Sequence, residues 1–521
     1  MSTPTLTLSE DRLLPRESSA LAAAREIYRS TKGLPIISPH GHVPVSWIAD
    51  DMAFSDPTSL LITPDHYVNR LLHANGVDLE DLGVGRKTMS EEDNRRAFRI
   101  LCEHWRDFAG TAMRYWLVDQ LVGIFGITER PSPENADRIY DTIAERIAQP
   151  DFLPRALMDS FDIAFIATTD DPCDDLDGHA RLAADETFTR RVAPTFRPDK
   201  YLEPAAGGWT GLLARLSEVS GCDATTLDGF TEAMEDRRAY FRQHGAVSSD
   251  HSHRDLGTII LDHDRAASIF DASVAGRATV EEMALLRRHL FTDQARMASE
   301  DGLTMTVHPA VHRNHDTAAF HRFGADIGSD VPVTLEVVDS LHPLLDKFGN
   351  TDLKLVVFTI DETLYSREIA PLSGWYRSLY IGVPWWFIDA PESVMRFKHA
   401  VTEMAGFSRV SGMIDDTRAF CSIPARHDMS RRLDAAHLAE LVVLGRLDLD
   451  EAVEIAHRLV VEQPTLPSSQ PPMILATIST GTLDWLPTRH SPVALPPPSA
   501  QISTWNRLPE AGRACLRGCL R

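Results

Sequence analysis

The sequence predicts an α/β protein, a (β/α)8 TIM-like barrel with a helical insertion after strand 1. Three observations lead there. After residue 160, short β-branched runs alternate with longer amphipathic stretches, the pattern of repeated βα units around a parallel sheet. The strand candidates "LPIISPHGH", "DIAFIATTDD", "RVAPTFRPDK", "GAVSSDHSH", "LTMTVHPAV", "LKLVVFTID", "LYIGVPWWF" and "VSGMIDDTR" number eight. Histidines, carboxylates, arginines and indoles collect at the ends of these candidates, the face on which such barrels carry their chemistry.

The elements follow in order. Residues 1–34 form an N-terminal helical segment in which "SALAAAREIYRS" is the helix, Ser18 or Ser19 its cap and Gly33 its stop. Residues 35–59 carry the first barrel strand and its loop, and residues 60–158 read as helix throughout. Residues 159–463 supply the remainder of the barrel. From 464 to 521, "TLPSSQPP" and "SPVALPPPSAQ" predict a proline- and serine-rich extension that is loosely attached.

Bulk properties narrow the function. The 521 residues are 43% hydrophobic and 24% charged, an ordinary globular balance. A formal net charge of -23 argues against nucleic acid or an anionic membrane as partner. No apolar stretch is long enough to span a bilayer, and the N-terminus has no basic region followed by an apolar one, so no secretory signal is expected. The scattered cysteines, Cys102, Cys173, Cys222, Cys421, Cys515 and Cys519, suit a reducing cytoplasm, and the last two lack a partner pair for zinc.

His40 and His42 stand one residue apart, and alternate residues of an extended strand face one side. Asp416, on the eighth candidate, would lie beside them if the barrel closes. Two imidazoles and a carboxylate suit Zn²⁺ or a similar divalent ion; the plainer alternative is that the histidines bond loop backbone. A second pair, His251 and His253, competes for the metal, while the adjacent Asp250 can anchor a ligand hydroxyl. His308 ends an apolar strand, either as a core histidine or facing the metal. Arg197, Arg313 and Arg418 follow strand ends in an acidic chain. Guanidinium groups grip carboxylates bidentately, so three on one rim point to an anionic substrate. The alternative pairs them with Asp199, Asp250 and Asp416 as structural bridges. Tyr67 sits at the mouth of the insertion, and Trp385 and Trp386 either pack the barrel top or offer a platform for a sugar ring.

The succession "LPIISPHGHVP", "DHYVNRLLHANGV", "TTDDP", "PTFRPDK", "SDH", "VHPAVHRN", "WWF" and "DDTRAF…RHDMSRRL" resembles the uronate isomerase (glucuronate isomerase) family of the amidohydrolase superfamily, from about residue 20 to 463. The resemblance implies reversible interconversion of D-glucuronate with D-fructuronate and of D-galacturonate with D-tagaturonate, in uronate catabolism. It implies His40, His42 and Asp416 as metal ligands and Tyr67 as the tyrosine that helps move the proton. Arg197, Asp250, His308, Arg313 and Arg418 match its other polar site residues. Gly41 between the two histidines and the long C-terminal extension depart from the family pattern.

Strand four offers no lysine and strand six no histidine, so one divalent ion, Zn²⁺ for preference, is expected rather than a two-metal hydrolytic pair. Isomerisation needs a base near C2, an acid for the carbonyl oxygen and charge to stabilise the enediolate. Asp416 and Tyr67 are assigned the proton traffic, and Arg418 and the metal the charge stabilisation; Arg197, Asp250, His308, Arg313 and Trp385 are assigned to substrate binding. The alternatives are a mononuclear metal-dependent hydrolase of a sugar lactone or amide, and a non-catalytic sugar-acid-binding barrel. The expected partner is a small uronate, in a cytoplasmic homo-oligomer.

Overall fold

The computed structural model describes residues 5–465, so the proline- and serine-rich extension beyond them, with Cys515 and Cys519, lies outside the described residues. The strands are, in chain order, β1 (Ile36–Ser38), β2 (Ile163–Ala167), β3 (Arg191–Ala193), β4 (Thr195–Phe196), β5 (Ser248–His251), β6 (Thr304–Val307), β7 (Val311–His312), β8 (Val331–Pro332), β9 (Leu355–Val357) and β10 (Leu379–Ile381). One parallel sheet has the order β1-β2-β3, a second the order β10-β9-β6-β5-β4, and β7 and β8 form an antiparallel hairpin. Pro194 separates β3 from β4 because it has no N–H to give the ladder. The pairing nevertheless resumes beyond it: Asp170 N donates to Thr195 O at 3.1 Å, and Arg197 N donates to Asp170 O at 3.1 Å.

Helices cover the parallel strands and carry the connections. The first, Ser18–Thr31, is capped by the Glu17 side chain, which accepts from Ala20 N, rather than by either serine. Between β1 and β2 the chain runs through helices Pro57–Leu61, His66–Ala74, Glu91–Glu103, Ala112–Asp119, Ala136–Ile147 and Pro154–Ser160. Their apolar faces meet in a core that includes Trp105, Phe108, Trp116, Tyr140 and Phe152. Each fully buried large side chain of this kind contributes roughly 1.5–3 kcal/mol. The long helix Val280–Asp301 begins with a reciprocal capping box between Thr279 and Glu282 and ends at Gly302 in a left-handed conformation.

Helix Ile423–Val443 differs from the others in being buried on nearly every side, polar residues included. It packs against Ser18–Thr31 through Ala435, Leu438 and Ala439. Two of its buried polar side chains bond to neighbouring segments: Arg431 donates to the carbonyls of Lys32 and Pro35, and His427 Nε2 lies 3.1 Å from Asp415 Oδ2. No described helix is long and apolar enough to cross a membrane.

Two strand expectations need correction. The histidines of the first segment lie past the end of β1, in irregular backbone, so their convergence does not come from strand alternation. The eighth candidate is no regular strand either; it makes one parallel bridge, Val410 to Ile381, before the chain turns. Gly412, at φ +75°, and Asp416, at φ +44°, take it out of extended geometry. Single bonds still tie the segment to both neighbours: Ser411 N donates to Ile381 O at 2.9 Å, His42 N to Thr417 O at 3.0 Å and Asp416 N to His40 O at 3.3 Å. A Cβ added to Gly412 would lie 2.5 Å from Pro464 Cδ. Gly412→Ala therefore combines a disfavoured backbone with overpacking, and thermal or denaturant unfolding should register a loss of roughly 1–3 kcal/mol.

Candidate active site

Side chains from the ends of the parallel strands and from the helices after β1 line a cavity of about 580 Å³. His40, His42, Tyr67, Arg197, Asp250, His308, Arg313, Trp385, Asp416 and Arg418, the residues singled out in the sequence, all line it.

Asp416 is the centre of the polar cluster. Its Oδ1 lies 2.9 Å from His42 Nε2 and 3.4 Å from His40 Nε2. Burial pushes its carboxyl up, but the hydrogen bonds from His40 and His42 more than offset this and hold it well below the usual carboxylate range. The left-handed backbone that presents it is one that aspartate tolerates better than most residues. Burial pushes the His42 imidazolium down, whereas at His40 the charges of Asp250 and Asp416 overcome burial and raise it.

His308 completes the cluster. Its ring stacks on Phe358 at 4.2 Å and on His40 at 4.7 Å, with Trp385 edge-on at 4.8 Å. Trp385 thus packs against a histidine while lining the cavity. His308 Nδ1 meets Asp250 Oδ1 at 2.7 Å, which fixes the proton there and leaves Nε2 as the basic nitrogen. That Nε2 is buried and has no hydrogen-bond partner. His40, His308 and Asp416 each offer a ligand atom, and these lie within 4.8 Å of one another. An orphaned imidazole nitrogen oriented by a carboxylate, beside a second imidazole and an ionised carboxylate, fits a divalent ion. His42 reaches the same carboxylate oxygen but stands outside that group of three.

The arginines are each anchored on one side. Arg197 donates to Asp199 at 2.9 Å and lies 3.3 Å from Asp250. Arg313 pairs with Asp330 at 2.7 Å and donates to Ser252 Oγ at 2.7 Å. Arg418 pairs with Asp326 at 3.2 Å and donates to His66 Nε2 at 3.2 Å. Burial, and then the Arg418 charge, lower the His66 imidazolium to about 4, so at neutral pH this ring accepts that bond.

Tyr67 is the second residue of helix His66–Ala74, whose cap, Asp65, accepts from Tyr67 N at 2.9 Å and from Val68 N at 3.4 Å. Its hydroxyl donates to Asp389, 2.7 Å from both carboxylate oxygens. Arg426 donates to Asp389 at 3.0 Å, and its guanidinium lies 3.7 Å from the Trp116 ring centre and 5.3 Å from that of Tyr67. Burial and then Asp389 push the phenol well above its ordinary value, so it remains protonated.

Sequence reasoning missed His66, Asp326, Asp389 and Arg426. His66 adjoins Tyr67 in the segment already singled out, and Asp389 follows the tryptophan pair by three positions. Asp326 and Arg426 carry no local signal, because a long connection and a buried helix bring them in.

A comparison with known proteins decides the family. The glucuronate isomerase family matches residues 7–463. The chain belongs to that family. It is 48% identical to a uronate isomerase of Corynebacterium efficiens over 456 residues, covering 87% of this chain and 97% of the relative. Identity to a uronate isomerase of Rhizorhabdus wittichii is 45% over 457 residues, covering 88% and 97%. Among solved structures, glucuronate isomerase from Caulobacter crescentus superposes with a TM-score of 0.88 at 41% identity, over 90% of this chain and 99% of that one. Uronate isomerase from Thermotoga maritima gives 0.83 at 26% identity, over 88% and 99%.

Asp170 stands in the same cavity wall. Burial raises the Asp170 carboxyl to about 6, despite hydrogen bonds from Thr168 Oγ1 at 2.6 Å and Thr195 N at 3.2 Å. The folded chain therefore holds this proton more tightly than the unfolded chain, whose carboxyl titrates near 3.8. Its contribution to stability is present below that lower value and is lost as pH rises toward about 6. Asp170→Asn should flatten the difference in unfolding free energy across that window by on the order of 2–3 kcal/mol relative to the parent chain.

Proposed function

We propose that this chain is a uronate isomerase that interconverts D-glucuronate with D-fructuronate, and D-galacturonate with D-tagaturonate, in this cavity. The carrying observation is that Tyr67 and Asp416 line one cavity whose polar wall includes Arg197, Arg313 and Arg418. The family and the relatives' names favour this reading over lactone or amide hydrolysis. The scaffold is read as one (β/α)8 barrel, supported by the parallel order of its strands and by the bonds from residues 410–417 to Ile381 and His40.

For the aldose, two proton transfers make the enediol and two more resolve it. Asp416, ionised, takes the hydrogen on C2 as the Tyr67 phenol gives its proton to the carbonyl oxygen on C1, and the enediol forms. The O2 hydroxyl then returns a proton to the Tyr67 oxygen, while Asp416 delivers its proton to C1, leaving the C2 carbonyl of the ketose. Arg426 lowers the cost of the transient phenolate through its charge beside Tyr67 and Asp389. Arg418 stabilises the oxygen charge that develops in the enediolate. Arg197 and Arg313, each with one side tied to a carboxylate, offer their remaining donors to the uronate carboxylate and its neighbouring hydroxyls.

His40, His308 and Asp416, with His42 beside them, would hold a divalent ion of the Zn²⁺ type. Such an ion would supply Lewis-acid charge at the substrate oxygens. His40 and His42 also orient the Asp416 carboxylate.

Incubation of the chain with D-glucuronate should yield ketose, measured colorimetrically. Hydrolysis of a sugar lactone with no ketose formed would contradict the reading. Tyr67→Phe should lower kcat by about 10²–10⁴-fold with little change in substrate binding measured calorimetrically. Turnover at the parent rate would remove Tyr67 from the proton path.

A further inference from the structure

We propose that Asp199, His251 and His253 form a second divalent-cation site, of the Zn²⁺ type, separate from the catalytic cavity. The three residues each offer a ligand atom, and these atoms lie within 4.8 Å of one another. None of the three lines the cavity. Donors bound tetrahedrally to zinc at about 2.0–2.2 Å stand roughly 3.3–3.6 Å apart. His253 Nε2 and Asp199 Oδ1 are already 3.7 Å apart, so little contraction is needed.

The hydrogen bonding leaves one buried nitrogen bare on each ring. His253 Nδ1 meets Glu203 Oε1 at 2.7 Å, the carboxylate contact that fixes a metal-binding imidazole, and its Nε2 is buried without a hydrogen-bond partner. His251 Nε2 lies 3.3 Å from Ser249 Oγ, and its Nδ1 is likewise buried and unpartnered. His251 is 0% exposed and His253 is 3% exposed, and the edge of Phe291 packs against both. A protonated His253 bridging Asp199 and Glu203 would account for one ring only. It would leave the His251 nitrogen orphaned in the interior, at the cost such groups carry. A shared cation satisfies both rings.

Asp199 connects this site to the cavity. Its Oδ1 accepts from Ser252 N at 3.0 Å, and its Oδ2 accepts from Arg197 Nε at 2.9 Å. A cation on Oδ1 would hold the carboxylate that aims Arg197, so the site acts as a positioning element. Asp199 and Glu203 are partly exposed, which gives an ion a route in from the surface.

The test uses the full chain crystallised with two equivalents of zinc. Anomalous difference maps at the zinc edge should show a peak between Asp199, His251 and His253, whatever the occupancy near Asp416. A map without density there would overturn the proposal. In solution, an Asp416→Ala chain should retain one zinc per chain in equilibrium dialysis, and adding His253→Gln should abolish it. Retention of that zinc in the double variant would equally count against the site. The map on the unsubstituted chain decides the matter if the double variant does not fold.

Discussion

A single carboxylate, Asp416, organises the site. A buried anion is stable only when its lone pairs are met, and here two imidazoles from one short loop meet it. The same loop exchanges backbone bonds with residues 416 and 417, so the charge contact and the peptide contact reinforce each other. Next to it, Asp415 is held by His427, and a Cβ on Gly41 would lie 3.3 Å from Asp415 Oδ1. The small residue between the two histidines thus leaves room for the loop carrying the carboxylates. Helix Ile423–Val443 follows directly, and its burial fixes this loop from behind.

The surrounding electrostatics reconcile an acidic chain with an anionic substrate. The formal charge is -23, yet the cavity wall contains Arg197, Arg313, Arg418 and Arg426. Each of the four is oriented by an aspartate: Asp199, Asp330, Asp326 and Asp389 respectively. These carboxylates restrict the guanidinium groups to defined directions, so the groups are ordered in advance. Of the bridges the sequence suggests, only those of Arg197 to Asp199 and Asp250 form; Arg313 and Arg418 pair with Asp330 and Asp326 instead. They are bridged, and the guanidinium fork has donors to spare.

Much of this was legible in the sequence where function depends on residues at strand ends. His308, Asp250 and Arg197 reach the cavity because the βα alternation marks where each strand stops, and strand ends converge. Strand alternation does not explain His40 and His42, which lie beyond β1; the loop instead brings both to one oxygen. The eighth strand read as β from its composition and is mostly irregular, because Gly412 and Asp416 take positive φ values that a strand pattern does not reveal. The partners that support the site were not legible. Asp389 below Tyr67, Arg426 on a buried helix, and the hairpin β7–β8 whose loop brings Asp326 and Asp330 to the arginines all depend on packing between distant segments. Such residues leave no periodic trace.

The most direct test of Asp416 as the base is loss of label from C2. D-Glucuronate carrying deuterium at C2 should lose it from that position at a measurable rate with the parent chain. Asp416→Asn, which keeps the shape but not the basicity, should leave the label in place while Tyr67, His40 and His42 remain unaltered. Removal of deuterium from C2 by that variant at the parent rate would contradict the account.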